Sequence, residues 1–251
     1  MILDQFSLKG KVAIVTGSNT GLGQGISKAF VEAGAKVLGV SRSPSTETQE
    51  ELGADNFQFI TADLSSLDPI DTIISTAVEK FGRLDILVNN AGIIKREDSI
   101  DFSVENWDLV MNTNCRTLFF LSQAAAKQFI KQNSGGKIIS IASMLSYQGG
   151  IRVPSYTASK SAVKGITMTM SNEWAKHGIN VNAIAPGYMA TNNTAALRAD
   201  AERSEAILDR IPAGRWGTPD DLMGAAVFLA SSASDYVNGF TLAVDGGWLG
   251  R

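Results

Sequence analysis

The chain has one cysteine (Cys115) and one histidine (His177) among 251 residues, and each scarcity closes off chemistry. A lone thiol permits no internal disulfide, which suits a reducing compartment. One histidine and one cysteine cannot build a zinc centre of the usual N/S kind, so no metal is expected. A Ser-His-Asp hydrolase would have to use His177, and no G-x-S-x-G elbow surrounds any serine. The histidine stands in Lys176-His-Gly178, where a helix end favours a cation followed by glycine, so it reads as a cap. Excess charge is also missing: 22 basic against 25 acidic residues leave a net −3. Without a basic block, nucleic-acid binding lacks its electrostatic footprint. No run approaches the roughly 20 apolar residues needed to cross a bilayer. The first eleven residues include Asp4 and no long apolar core, unlike a secretion signal. The chain therefore reads as cytoplasmic, without nucleic-acid or membrane partners.

What is present is a regular alternation. Short β-rich runs at 12–16, 36–41, 57–61, 84–89, 137–142, 180–185 and 240–244 are mostly continuous apolar stretches, as in parallel strands buried on both faces. Between the first two, Leu22, Ile26, Ala29, Phe30 and Ala33 follow helical spacing and Gly34 stops it. Further helices are expected near 67–81, 103–131, 155–177 and 219–231. The pattern predicts an α/β fold: a single doubly wound, Rossmann-like parallel sheet of seven strands with helices on both faces. No linker or repeat divides it, so residues 1–251 read as one domain. The longest non-strand region, 187–218, follows the sixth strand and is a candidate lid.

Directly after the first strand comes Thr16-Gly17-Ser-Asn19-Thr20-Gly21-Leu22-Gly23, opening the first helix. Glycines there permit unusual backbone angles and bring a pyrophosphate close to helix N-terminal amides. The spacing is G-x-x-x-G-x-G, and the lysine of an NTPase loop is missing. At the end of the second strand stand Ser41 and Arg42, with no acid. A carboxylate there would accept from a free ribose 2′-hydroxyl, whereas this pair suits a 2′-phosphate, pointing to NADP over NAD. Asp63, at the end of the third strand, could bond an adenine amino group.

Tyr156 and Lys160 lie four residues apart before a long apolar run, one helical turn apart on one face. A tyrosine of pKa about 10 is a poor proton shuttle near neutrality. A cation within about 4–6 Å favours phenolate by about 3–4 kcal/mol, which would make it an acid or base at working pH.

With these pieces in order the chain resembles the short-chain dehydrogenase/reductases over essentially its full length. The matching motifs are Thr16-Gly-x3-Gly-x-Gly23, Asn89-Asn-Ala-Gly92, Asn114, Ser143, Tyr156-x3-Lys160 and Pro186-Gly187…Thr191. Longer runs around Ser143–Tyr156, Asn182–Thr194 and Arg210–Gly217 resemble the sugar-acid dehydrogenases of that family. The resemblance implies reversible hydride transfer between NADP or NAD and a keto-sugar acid, in a homotetramer. Tyr156 would be the proton donor, Lys160 its activator and ribose contact, Ser143 the hydrogen-bond donor to the reacting oxygen. Asn114, inside the fourth helix, would hold a water leading to Lys160. The cofactor would also be met by Asn19, Thr20, Leu22, Leu64, Asn90, Ala91, Gly92, Pro186, Gly187, Met189 and Thr191. For the substrate carboxylate the candidates are Arg96 and Arg152; Gln148, Tyr188, Asn192 and Asn193 are candidates for its hydroxyls. Trp174, Trp216 and Trp248 read as packing or subunit-contact residues. A gluconate 5-dehydrogenase, a 3-ketoacyl carrier reductase and a non-enzymatic nucleotide-sensing module remain as alternatives.

Overall fold

The computed structural model describes all residues, Met1–Arg251. Strand β1 (Val12–Thr16) is buried at every position, and its alternate side chains feed two separate cores. Ala13 and Val15 join a cluster with Ile26, Phe30, Leu222 and Leu229, while Ile14 joins one with Ile73, Leu121 and Phe129. The period-two alternation of a strand thus supplies apolar contacts to both faces at once, which is why the run is apolar throughout.

The chain continues through α1 (Gly21–Glu32), β2 (Lys36–Ser41), α2 (Thr46–Leu52), β3 (Phe57–Thr61), α3 (Ile70–Phe81) and β4 (Ile86–Asn89). Then follow α4 (Val104–Met111), α5 (Thr117–Gln132), β5 (Gly136–Ile141), α6 (Pro154–Trp174) and β6 (Ile179–Pro186). It ends with α7 (Ala195–Ala199), α8 (Ala201–Leu208), α9 (Asp220–Ala230) and β7 (Thr241–Val244). All seven strands are parallel in the order β3-β2-β1-β4-β5-β6-β7. Helices α1 and α9 cover one face, and α3, α5 and α6 the other. The order reverses between β1 and β4, so the loops leaving those strands part and open a crevice at their carboxyl ends.

The strand positions agree with the alternation read from the sequence to within two residues. Helix α6 begins at Pro154, whose missing N–H is no loss in the first turn. Gly178 adopts φ +70° after a short 3₁₀ turn at Ala175–His177, so His177 lies at a helix end as anticipated. The region 103–131 differs, because it is not one helix. A π turn, Asn112–Arg116, separates α4 from α5, with Thr117 N–H donating to Asn112 C=O. Asn114 sits on this turn rather than inside a regular helix, and π turns of this kind gather at functional sites. Helix α2 and the two short helices within 187–218 carry too few apolar repeats to register as periodicity.

Candidate active site

Three glycines after β1 serve three physical purposes. Gly17 (φ +67°) makes the turn. A Cβ on Gly23 would fall 2.1 Å from the Gly17 carbonyl oxygen, so this glycine lets α1 pack onto the loop. Gly21 (φ +58°) would meet only the Thr191 methyl at 3.7 Å, which leaves its backbone open to the crevice. The loop is held from the β4 side. Asn90 Nδ2 donates to Thr16 O (2.8 Å) and Gly17 O (3.2 Å), while Thr16 Oγ1 accepts from Asn90 N and Ala91 N at 3.0 and 2.9 Å.

A cleft of about 380 Å³ runs along this edge. Gly17, Asn19, Thr20, Gly21, Leu22, Ser41, Arg42, Asp63, Leu64, Asn90, Ala91, Gly92, Tyr156, Lys160 and Thr191 all line it. Ser43, Ala62, Ser65, Ile93, Leu109, Thr113 and Ile141 line it too and escaped the sequence reading. Most are neighbours of motif residues. Leu109 and Thr113 lie on the turns just before Asn114, a signal that helix spacing offered.

At one end, the buried Ser41 hydroxyl donates to Ser43 O (2.8 Å) and pairs with Ser45 Oγ (3.1 Å). It is therefore committed to its own loop, whereas Arg42 beside it is exposed, lines the cleft and forms no ion pair. Asp63 accepts from Ser65 N at 2.9 Å. Those Ser65 contacts, with a smaller pull from Arg42, hold its carboxyl below the ordinary range.

At the other end, Lys160 is buried and its ammonium donates to Ile141 O while lying 5.6 Å from the centre of the Tyr156 ring. Burial pushes Lys160 down to about 8. Tyr156 stays partly open to the cleft. The desolvation of its phenol nevertheless dominates and raises it; the Ser143 hydroxyl and the Arg96 charge pull the other way. This corrects the expectation that Lys160 makes the phenol acidic, because burying both groups penalises both charged forms. Ser143 Oγ accepts from Leu145 N at 3.1 Å and so caps a turn while facing Tyr156.

Asn114 is fully buried. Its Oδ1 accepts from Ile93 N (2.8 Å), and its Nδ2 donates to Ile93 O (2.9 Å) and Ser159 Oγ (3.2 Å). The side chain thereby fastens the segment after Gly92 beside Lys160: a Cβ on Gly92 would lie 3.3 Å from Asn114 Oδ1 and 3.8 Å from Lys160 Nζ.

Several candidates on the substrate side are engaged elsewhere. Gln148 Oε1 accepts from Trp248 Nε1 (3.1 Å), and Tyr188 stands edge-on to Trp216 and Trp248. Arg152 pairs with Asp98 at 2.9 Å. Arg96 donates to Asn193 O (3.1 Å), close enough for its charge to act on Tyr156. Pro186 pairs with Val244, and Gly187 admits Asp245, whose Cα would stand 2.6 Å from an added Cβ. Gly187, Tyr188 and Met189 border a second cavity of about 150 Å³ rather than the main cleft, which Thr191 alone of that group lines.

With this geometry in place, comparison with known proteins is direct. The sequence profile of the family described as enoyl-(acyl carrier protein) reductase matches residues 17–249. The 2-dehydro-3-deoxy-D-gluconate 5-dehydrogenases of Escherichia coli K12 and Dickeya dadantii 3937 are each 65% identical over 253 residues, covering 100% of both chains. A crystal structure from Agrobacterium tumefaciens with bound NADP is 54% identical and superposes with a TM-score of 0.93, covering 98% of this chain and 99% of that one.

Proposed function

Because the chain belongs to the short-chain dehydrogenase/reductase family, an NAD(P)-dependent oxidoreductase acting on CH–OH groups, we propose that it interconverts a ketone and a secondary alcohol on 2-dehydro-3-deoxy-D-gluconate. The observation that carries this reading is that Tyr156, Lys160 and the glycine loop line one continuous cleft. The cradle suits a dinucleotide. Gly21 turns bare backbone toward the cleft at a helix N-terminus, and Arg42 supplies a cation at the far end, which favours NADP. Bound there, the dinucleotide supplies or accepts the hydride.

The chain's own residues do the rest. Tyr156 gives its proton to the ketone oxygen and recovers it in the reverse direction. Ser143 hydrogen-bonds that oxygen as charge develops. Lys160, beside Gly92 and the tyrosine ring, steadies the ribose, while the Ser143 hydroxyl and the Arg96 charge favour phenolate. Asn114 keeps the Ile93 segment against Lys160, and Thr191 meets the nicotinamide amide. Asp63 and Leu64 take the adenine end, where Asp63 is already ionised by its Ser65 bonds. Arg96 receives the substrate carboxylate, since of the two candidate arginines Arg152 is paired with Asp98 while Arg96 bonds only the Asn193 carbonyl and keeps its charge unpaired. Residues 187–218 act as the lid.

Association into a homotetramer is supported by exposed apolar side chains: Val104, Trp107 and Phe120 on α4 and α5, Met168 on α6, and Phe240 just before β7. A cytoplasmic location is supported by the single free cysteine. The test is a panel of keto-sugar acids assayed with NADPH and NADH, following dihydronicotinamide absorbance. Turnover of 2-dehydro-3-deoxy-D-gluconate products above other keto acids is expected. Equal rates across the panel, or faster reduction of a 3-ketoacyl thioester, would remove the substrate assignment.

A further inference from the structure

We propose that Arg152 is a positioning residue, a strut that fixes the Arg96-bearing segment against the N-terminus of α6. Arg152 holds φ +65°, a left-handed conformation that L side chains rarely adopt, although Gly149 and Gly150 stand just before it and would turn there without strain. Such a conformation persists where surrounding contacts over-determine it. Both ends of this residue are engaged on one neighbouring segment. Its carbonyl accepts from Glu97 N (3.0 Å), and its Nε pairs with Asp98 Oδ1 (2.9 Å).

The clasped segment is tied on two further sides. Glu97 Oε2 accepts from Ser103 N (3.1 Å) and Asn106 Nδ2 (3.3 Å) at the start of α4. Arg96 donates to Asn193 O in the lid. A bracket therefore runs from Tyr156 in the first turn of α6, through Arg152 and residues 97–98, to Arg96 and the lid. Its effect is to hold the Arg96 guanidinium at Asn193, on the rim of the cleft that Tyr156 lines, rather than to touch substrate.

The inference rests on the reading of Arg96 as the carboxylate contact, so Arg96→Leu serves as the reference. The Arg152–Asp98 side chains are 56% and 66% exposed, which sizes the effect as small. Asp98→Ala and Arg152→Gly are expected to lower kcat/KM about three- to fivefold for carboxylate-bearing ketones and leave a neutral ketone unchanged. The same variants should speed amide exchange across residues 96–101 in the free enzyme. The exchanged pair Arg152→Asp with Asp98→Arg should restore both readouts, as Asp tolerates the left-handed region.

Loss of carboxylate preference in Arg96→Leu, with wild-type kinetics and exchange in Asp98→Ala, overturns the strut and leaves the role of Arg96 standing. No loss in Arg96→Leu removes the carboxylate contact and the strut with it. Equal losses on neutral and carboxylate ketones would also overturn it, as a general loosening of the fold.

Discussion

The two walls of the cleft are built differently. On the dinucleotide side the polar side chains hold backbone: Asn90 binds the glycine loop, Thr16 binds the Asn90–Ala91 backbone, and Asn114 binds Ile93. The result is a fixed surface with open main chain at Gly21. On the substrate side, side chains hold one another, as in Gln148 with Trp248, Tyr188 between two tryptophans, and Arg152 with Asp98. A wall held through backbone is rigid and blind to side-chain identity, which suits an invariant cofactor. One held by paired side chains can change its recognition by changing partners.

Four substitutions sharpen the contrast. Tyr156→Phe, at the meeting of the walls, should cut kcat by about 10²–10⁴ while cofactor affinity, measured by fluorescence titration, stays near wild type; appreciable residual turnover would refute the proton donor. Lys160→Met should also abolish turnover yet stabilise the protein measured without added cofactor. The fall of Lys160 from its ordinary 10.5 to about 8 corresponds to about 3 kcal/mol of opposition to its charge. Between pH 8 and 10.5 the unfolded chain keeps a proton that the folded one has released, so wild-type stability rises with pH through that window. In the methionine variant this rise should disappear from thermal melts taken across the window.

Gly23→Ala, on the dinucleotide wall, forces backbone apart at the Gly17 carbonyl and should cost about 1–3 kcal/mol along with cofactor binding. A variant that binds NADP like the wild type would show the loop to be pliant. Trp248→Phe, on the substrate wall, removes the donor to Gln148 and should cost about 0.5–1.5 kcal/mol, lowering Tm by a few degrees. There the expected kinetic change is in KM for the sugar acid, not for the cofactor.

Much of the dinucleotide wall was legible in the chain. Glycine spacing, the strand before it and the helix after it are local features, and 15 of the proposed cofactor residues line the cleft. The substrate wall was far less so. Arg152 and Gln148 were read as free to meet substrate, but their partners Asp98 and Trp248 lie 54 and 100 positions away in sequence, with no spacing rule to join them. The π turn at Asn114 was hidden as well, because one extra residue hardly disturbs apolar periodicity.

The sequence alone determined the alternation of apolar strands with amphipathic helices, and hence the parallel sheet and the crevice at its switch point. It also put the phenol and the ammonium one turn apart, because these follow from backbone periodicity over a few residues. Only the tertiary structure decided which polar groups remain available in that crevice, and how burial shifts Tyr156 and Lys160. Desolvation and distant partners are set by what the folded chain packs against each group, and no local window of residues contains that information.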